Sequence, residues 1–211
     1  MPPTDLLGLE RRSIRSRLGA VLQEPGEQRP SKATAKSEAR NATIGAWQAR
    51  WQATSKAAWT GCVVPDLGRW LGRTVPWVPL TFHMAQALTG HGCFQWYLHR
   101  MGMATSPRCW QCADDSDTAE HTLFQCVYWE GFREALTSRL GHRPNTIDVS
   151  DIIYGPVFET LPLDPIDKQA VLIEAEEVFK LFYRMVENIL TTKEDEERRR
   201  QAAERPPNSP N

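Results

Sequence analysis

Hydrophobic positions recur along most of this chain at steps of three and four residues, the period of an α-helix, and no strand-like alternation runs longer than four residues. Leu6, Leu9, Ile14, Leu18 and Val21-Leu22 predict a first helix over about residues 5–22, with a basic face through Arg11, Arg12, Arg15 and Arg17. Pro25, Gly26 and Pro30 break the period and predict a loop. Ile44, Trp47, Trp51 and Trp59 predict a second helix over about residues 37–62, ended by Pro65. The segment DLGRWLGRTVPWVPL is punctuated by Gly and Pro and is expected to be irregular.

Two short helical segments should follow, hinged at Gly90-His91-Gly92. Phe82, Ala85 and Leu88 form the stripe of the first, and Phe94, Tyr97, Leu98 and Met101 that of the second. Thr118 can cap a helix from about Ala119 that carries His121, Leu123-Phe124, Tyr128, Phe132, Leu136 and Leu140. A short helix is expected around Val149–Tyr154. A longer one should cover Pro165–Leu190, burying Val171, Ala175, Val178, Phe182, Met185 and Ile189. The closing KEDEERRRQAAERPPNSPN is charged and then Pro-rich, which predicts a frayed or disordered end.

The fold class read from this pattern is mainly α: an irregular helical domain with one CCHC zinc-knuckle-like loop and a disordered C-terminal tail. The organisation expected is 1–36 as amphipathic helix and linker, 37–104 as a basic Trp-rich helical region, and 105–130 as the knuckle. Residues 131–192 form a helical C-terminal region and 193–211 a tail.

A length of 211 residues suits one such domain, and eight Trp and seven Phe supply its large apolar surfaces. No apolar run is long enough to span a membrane, and MPPTDLLGLERR, with acid and base ahead of any long apolar stretch, is not expected to act as a signal peptide. The net charge of −1 conceals an asymmetry. Residues 1–112 hold 14 Lys/Arg against 6 Asp/Glu, whereas residues 113–211 hold 11 against 20. Between Glu38 and Arg108 the only acid is Asp66, so this stretch would attract phosphate if its cations share a face; scattered solvated charges are the plainer alternative.

Five cysteines, three of them within Cys109–Cys126, favour reduced thiols and a metal over disulfides. Zinc binds thiolate and imidazole tetrahedrally, at about 2.3 and 2.0 Å. Two cysteines separated by two residues fit on one tight turn, and the second pair must return from another direction, commonly off the first turn of a helix. Cys109, Cys112, His121 and Cys126 meet both demands, with a polar, acidic connection between the pairs. Unliganded buried thiols are one alternative. A CxxC redox pair is another, but no βαβ context surrounds it.

The overlapping Ala113-Asp114-Asp115 looks like the core of a polymerase site. Paired catalytic aspartates need a hairpin between apolar strands and two magnesium ions. Neither strand is present here, so these acids are expected to solvate the loop and offset the charge of the metal centre.

Elsewhere, His91 and His99 read as hydrogen-bonded structural histidines, and Cys62 and Cys93 as buried thiols. Trp47, Trp51 and Trp59 read as helical core, and Glu197–Arg200 as part of a solvated tail.

Thr89-Gly90-His91-Gly92, Phe94, Tyr97-Leu98, Arg100, Ser106-Pro107, Cys109, Cys112, Glu120-His121, Leu123-Phe124, Cys126 and Trp129 together resemble a known pattern. It is that of the C-terminal, cysteine-rich part of the Pol polyprotein of type-1 non-LTR (LINE-like) insect retrotransposable elements. Trp47, Trp51, WTGCVVPDLGRWL and PPTDLLGLERR are similar to the same family, the last to the stretch just after its reverse transcriptase domain. Val127 departs from it, standing where the family has Pro.

The resemblance implies a parent protein that is an RNA-directed DNA polymerase and endonuclease, copying element RNA at a nicked chromosomal target. It implies Mg2+ only for those two domains, which are not in this sequence, and it implies a nuclear location. Met1 is then expected to be an internal Met, and the segment itself is not expected to be catalytic. Its expected role is binding nucleic acid, either element RNA or target DNA, alongside upstream domains of the same polyprotein. Trp110 would stack on an unpaired base, and Arg100 and Arg108 would pair with phosphates. A zinc-stabilised helical protein-interaction module is the alternative.

Overall fold

The computed structural model describes residues 1–19, 31–75 and 79–204. Among these the chain is helical, without a strand. The expected helical residues Val21-Leu22, the loop at Pro25–Pro30, and the end of the tail from 205 onward lie outside the described residues, as do residues 76–78.

Helix α1 (Thr4–Gly19) and α2 (Lys32–Ala53) form an antiparallel pair. Small buried residues on α2, Ala35 and Ala39, allow close approach, and Leu6 is the buried side chain of α1. Asp5–Arg50, Glu10–Arg40 and Arg17–Glu38 tie the pair along its length. The basic face of α1 is thus partly consumed by α2.

The second helix predicted as continuous over 37–62 is two helices, α2 and α3 (Ala58–Val63). The break falls at Thr54-Ser55, where the Thr54 hydroxyl accepts the Lys56 N–H at 3.4 Å and competes with the helical ladder. The kink lets both indoles reach the interior, Trp51 Nε1 donating to Val64 O at 2.8 Å and Trp59 Nε1 to Ala87 O at 2.7 Å. The segment expected to be irregular contains helix α4 (Leu67–Leu71), started by the Asp66 carboxylate accepting the Arg69 N–H.

Helices α5 (Phe82–Thr89) and α6 (Gln95–Arg100) flank the expected hinge. Gly92 has φ 107°, and a Cβ there would overlap the Gln86 side chain at 2.2 Å. Thr81 caps α5 as acceptor from Met84 N–H. The face predicted for α5 holds at Leu88 but is corrected elsewhere: Phe82 is 71% exposed and Ala85 is exposed, while Met84, Gln86 and Ala87 are buried. One turn of apolar residues leaves the facing direction open, and packing against the C-terminal helix decides it.

Helix α7 spans Glu130–Leu140, α8 Thr146–Tyr154 and α9 Pro165–Glu204. Asn145 and Asp148 form a reciprocal capping box at the start of α8. The core gathers Phe94, Leu123, Trp129, Leu136, Ile153, Phe182, Met185, Val186, Ile189 and Leu190, all nearly inaccessible. Helix α9 lies across α5, α7 and α8 and is the longest element.

It does not end near Leu190. Residues 193–204, expected to fray, continue the helix, supported by Arg198 with Glu194 and Asp195 and by Arg200 with Glu197. No described helix is long and apolar enough to cross a membrane.

Candidate metal centre

The loop after Ser106-Pro107 closes on itself by two backbone bonds, Ala113 N–H to Cys109 O and Cys109 N–H to Asp114 O, both 2.9 Å. Closure requires Ala113 at φ 64°, a left-handed conformation that costs a side-chain-bearing residue on the order of 1–2 kcal/mol. The turn brings Cys109 and Cys112 to one side.

Thr118 then starts the second limb as expected, its hydroxyl accepting the His121 N–H at 3.1 Å. His121–Gln125 is a π-helical turn closed by Cys126 N–H to His121 O at 2.7 Å. On an ordinary α-helix, residues five apart point about 140° away from each other. The wider turn, and the departure of the backbone at Cys126 (φ −59°, ψ 120°), bring His121 and Cys126 into one donor group. The single helix predicted from about Ala119 to Leu140 is therefore corrected: α7 begins only at Glu130. Tyr128 and Phe132, assigned to its buried face, are 52% and 38% exposed, while Trp129 is fully buried.

The wide turn leaves carbonyls for another group to satisfy. Arg133, fully buried, donates through Nε to Leu123 O at 2.7 Å and through Nη2 to Thr122 O at 3.0 Å, and pairs with Glu130. Sequence reading did not single out this arginine, because nothing in its spacing marks it as interior.

The four donor atoms of Cys109, Cys112, His121 and Cys126 lie within 4.8 Å of one another. Cys109 Sγ is 3.9 Å from Cys126 Sγ, and Cys112 Sγ is 3.3 Å from His121 Nε2. A tetrahedron with S and N bonds of about 2.3 and 2.0 Å has S–S edges near 3.8 Å and S–N edges near 3.5 Å. The group therefore fits an ion of zinc's size. All five cysteines are free thiols, so none is spent on a disulfide.

Electrostatics bears on the state of the four donors. Burial pushes the Cys109 thiol up to about 12 and raises Cys126 as well, so neither is a thiolate near neutrality without positive charge beside it. Burial lowers the His121 imidazole below its usual value, leaving the neutral ring that a metal requires. The Asp114 carboxylate stands 3.8 Å from His121 Nδ1, the ring nitrogen facing away from the sulfurs. Asp115 pairs instead with Arg108 at 3.2 Å. The two aspartates serve different partners, one imidazole and one guanidinium.

Behind the loop, Asp117 is a fully buried carboxylate. It accepts from Gln95 N–H at 2.8 Å and from the Thr122 hydroxyl at 2.6 Å, and Lys193 Nζ reaches it at 2.8 Å. Lys193 also donates to Gln111 Oε1, between the first two cysteines, and Glu196 accepts from Gln111 and from the Tyr128 hydroxyl. The stretch read as a solvated tail thus braces the cysteine loop. A signal was available: Val186, Leu190 and Lys193 continue one stripe at helical steps.

Trp110 is 51% exposed, but the Arg200 guanidinium lies 4.3 Å above its ring, and Glu196 and Glu197 line the same small cavity. Arg108 is held by Asp115 and by the Ala113 carbonyl. Arg100 lines a different and larger cleft, its guanidinium 5.7 Å from the Trp96 ring. The three residues grouped by sequence as nucleic-acid contacts therefore do not form one surface.

His99 bonds the Ala104 carbonyl at 3.1 Å, and His91 stacks on Tyr97 with centroids 4.6 Å apart, so neither joins the metal group. Cys62, expected to be buried, is exposed; Cys93 is largely enclosed, and burial pushes its thiol up to about 12.

A helical chain carrying, among the described residues, one three-cysteine, one-histidine group that could hold a metal ion is what fold and site define. The curated proteins it resembles are named for retrotransposons. It is 29% identical over 107 residues to the Retrovirus-related Pol polyprotein from type-1 retrotransposable element R1 of Bradysia coprophila, which covers 51% of this chain and 10% of that protein. It is 34% identical over 87 residues to the corresponding R1 2 polyprotein of Nasonia vitripennis, covering 41% and 20%. It is 31% identical over 91 residues to the R1 3 polyprotein of the same organism, covering 43% and 23%. The chain thus spans less than a quarter of the length of these relatives. The resemblance read from the cysteine-rich motif is borne out at this level. No protein-family profile matches the chain. No solved structure matches it.

Proposed function

We propose that this chain is the cysteine-rich segment of a retrotransposon Pol polyprotein, and that zinc at Cys109, Cys112, His121 and Cys126 holds a nucleic-acid-binding region in shape. The convergence of three sulfurs and one imidazole, in a relative of R1 Pol polyproteins, carries the reading. The donor set favours zinc because soft thiolates exclude magnesium and calcium, and four protein ligands leave no open position for catalysis. The ion is structural, and its site formation couples to folding, at about 10–16 kcal/mol in small zinc peptides.

The parent polyprotein would reverse transcribe element RNA at a nicked chromosome, with Mg2+ in its polymerase and endonuclease domains, inside the nucleus. This segment would help hold template or target. Arg108 and Trp110 are the contacts on the knuckle, with Arg100 on the neighbouring cleft. A second reading, a zinc-stabilised protein-interaction module, is favoured by one observation: Glu196 and Glu197 flank Trp110 and would repel phosphate there.

Fluorescence anisotropy of the zinc-loaded chain with single-stranded RNA and DNA separates the two. Binding is expected to weaken linearly in log–log against salt, and to fall in Arg108→Ala and Trp110→Ala without loss of zinc. No binding at low salt would leave the interaction module.

A further inference from the structure

A cleft of about 790 Å³ opens between the end of α2, the Thr54–Ala57 turn, α3, α6 and the start of the metal centre's second limb. Its volume falls within the range of small-ligand sites, roughly 300–1,000 Å³. Three indoles and a phenol line it: Trp51, Trp59, Trp96 and Tyr97. These rings are fixed rather than loose. The Trp51 and Trp59 N–H groups are each spent on a backbone carbonyl, as described above. Gly90 sits so close to Trp59 that a Cβ would come within 2.9 Å of its ring. One face of the Tyr97 ring is stacked on by His91, leaving the other for a ligand. Trp96, 41% exposed, presents a free area of ring beside Arg100.

Charge completes the picture. Lys56 and Arg100 line the cleft, and neither has a carboxylate partner among the described residues. The one acid in the lining, Glu120, already accepts from the Thr146 hydroxyl at 2.8 Å. The knuckle's own exposed face differs: there Arg108 is paired, and the Arg200 guanidinium stacks over the half-exposed Trp110 ring.

We infer that this cleft takes the unpaired bases of a single-stranded nucleic acid, stacked against Trp96 and Tyr97, with Lys56 and Arg100 on the adjoining phosphates. The inference rests on the nucleic-acid reading above and moves the principal contact from the knuckle to the cleft. Aromatic rings bind a base through its π-face without sequence choice. Duplex hides those faces, so single strands are the fitting partner. The two cations supply phosphate contacts that position the strand.

The test is titration of the zinc-loaded chain with a short oligothymidylate at low salt, reading anisotropy and tryptophan quenching. Cleft variants use exposed positions, so that folding is retained and checked by circular dichroism. Trp96→Ala should bind about 5- to 150-fold more weakly, the factor equivalent to losing roughly 1–3 kcal/mol of one base stack. Lys56→Ala should lower the log–log salt slope by about 0.7. Cys62→Glu, which places a negative charge in the lining, should weaken binding at least tenfold, whereas Ile147→Glu on the exposed face of α8 should not.

If wild type binds and the cleft variants match it while Arg108→Ala and Trp110→Ala do not, the cleft proposal is overturned and the knuckle reading stands. If wild type binds no oligonucleotide, both fall. Quenching by a proline-rich peptide but not by oligothymidylate would assign the cleft to a protein segment and overturn the proposal.

Discussion

Lys193→Met tests whether the end of α9 holds the metal loop. In the native protein the Lys193 side chain is 3% exposed and the Asp117 side chain is inaccessible, with Nζ 2.8 Å from the carboxylate. Methionine keeps the length and removes the charge. Asp117 would keep its bonds from Gln95 and Thr122 but lose its only cation among the described residues, stranding an ionised carboxylate in the interior. Removing one partner of a buried pair costs about 3–5 kcal/mol, against a total stability of about 5–15 kcal/mol for an ordinary domain.

The expected outcome is a large drop in the urea midpoint of the zinc-loaded protein, with zinc surrendered to a colorimetric chelator in parallel. Asp117→Asn in the same chain should recover part of the loss. Its carbonyl can still take the Gln95 N–H, its amide can donate to the Thr122 oxygen, and no charge remains buried. Lys180, exposed and paired with Glu176 and Glu177, is the control, and its replacement should leave the midpoint in place. A Lys193→Met midpoint indistinguishable from wild type, or a double variant worse than the single, would refute the argument.

Four further outcomes are expected. Chelation of zinc should cost helix content and cooperativity, read by far-ultraviolet circular dichroism; an unchanged melt would show that the metal group does not couple to folding. Arg133→Met leaves the Leu123 and Thr122 carbonyls buried without donors, at about 1–3 kcal/mol each, and should weaken zinc retention along with stability in denaturant titration. Ala113→Gly relieves the left-handed backbone and should raise stability by up to about 1 kcal/mol, read as a higher urea midpoint; a loss would contradict the loop geometry.

The last concerns acid. Burial alone would raise Glu187, but bonds from Thr81 and His83 hold it below the usual 4.5. A carboxyl depressed in the fold contributes stability above its unfolded value and loses it as pH falls through the folded one. The stability advantage of wild type over Glu187→Gln should therefore be full at neutral pH and shrink below about 4.5. An advantage constant with pH would remove Glu187 from the account.

The convergence of Cys109, Cys112, His121 and Cys126 was legible because coordination imposes spacing locally: two cysteines on a turn, two donors on the next limb. The π-helical turn that orients the second limb was not, since it depends on Arg133 reaching back from a helix that sequence alone cannot dock. The short helices showed a second limit. In α5 either face offers apolar residues, and only the presence of α9 selects Met84 and Ala87 over Phe82 and Ala85. Charge misled at 193–204, where composition reads as solvated although Lys193 has a buried carboxylate waiting on another segment. The tryptophans read as core are half so: Trp51 and Trp59 pack inward and also wall a cleft.

The grip of Lys193 on Asp117 sets a limit on how far the chain can be shortened from its end. A version stopped at Thr192 would retain every sulfur and the imidazole, and most of the apolar interior. It would still leave a buried anion uncompensated behind the cysteine loop. Loss of the metal in such a truncation would follow from a residue that touches neither the metal nor its ligands.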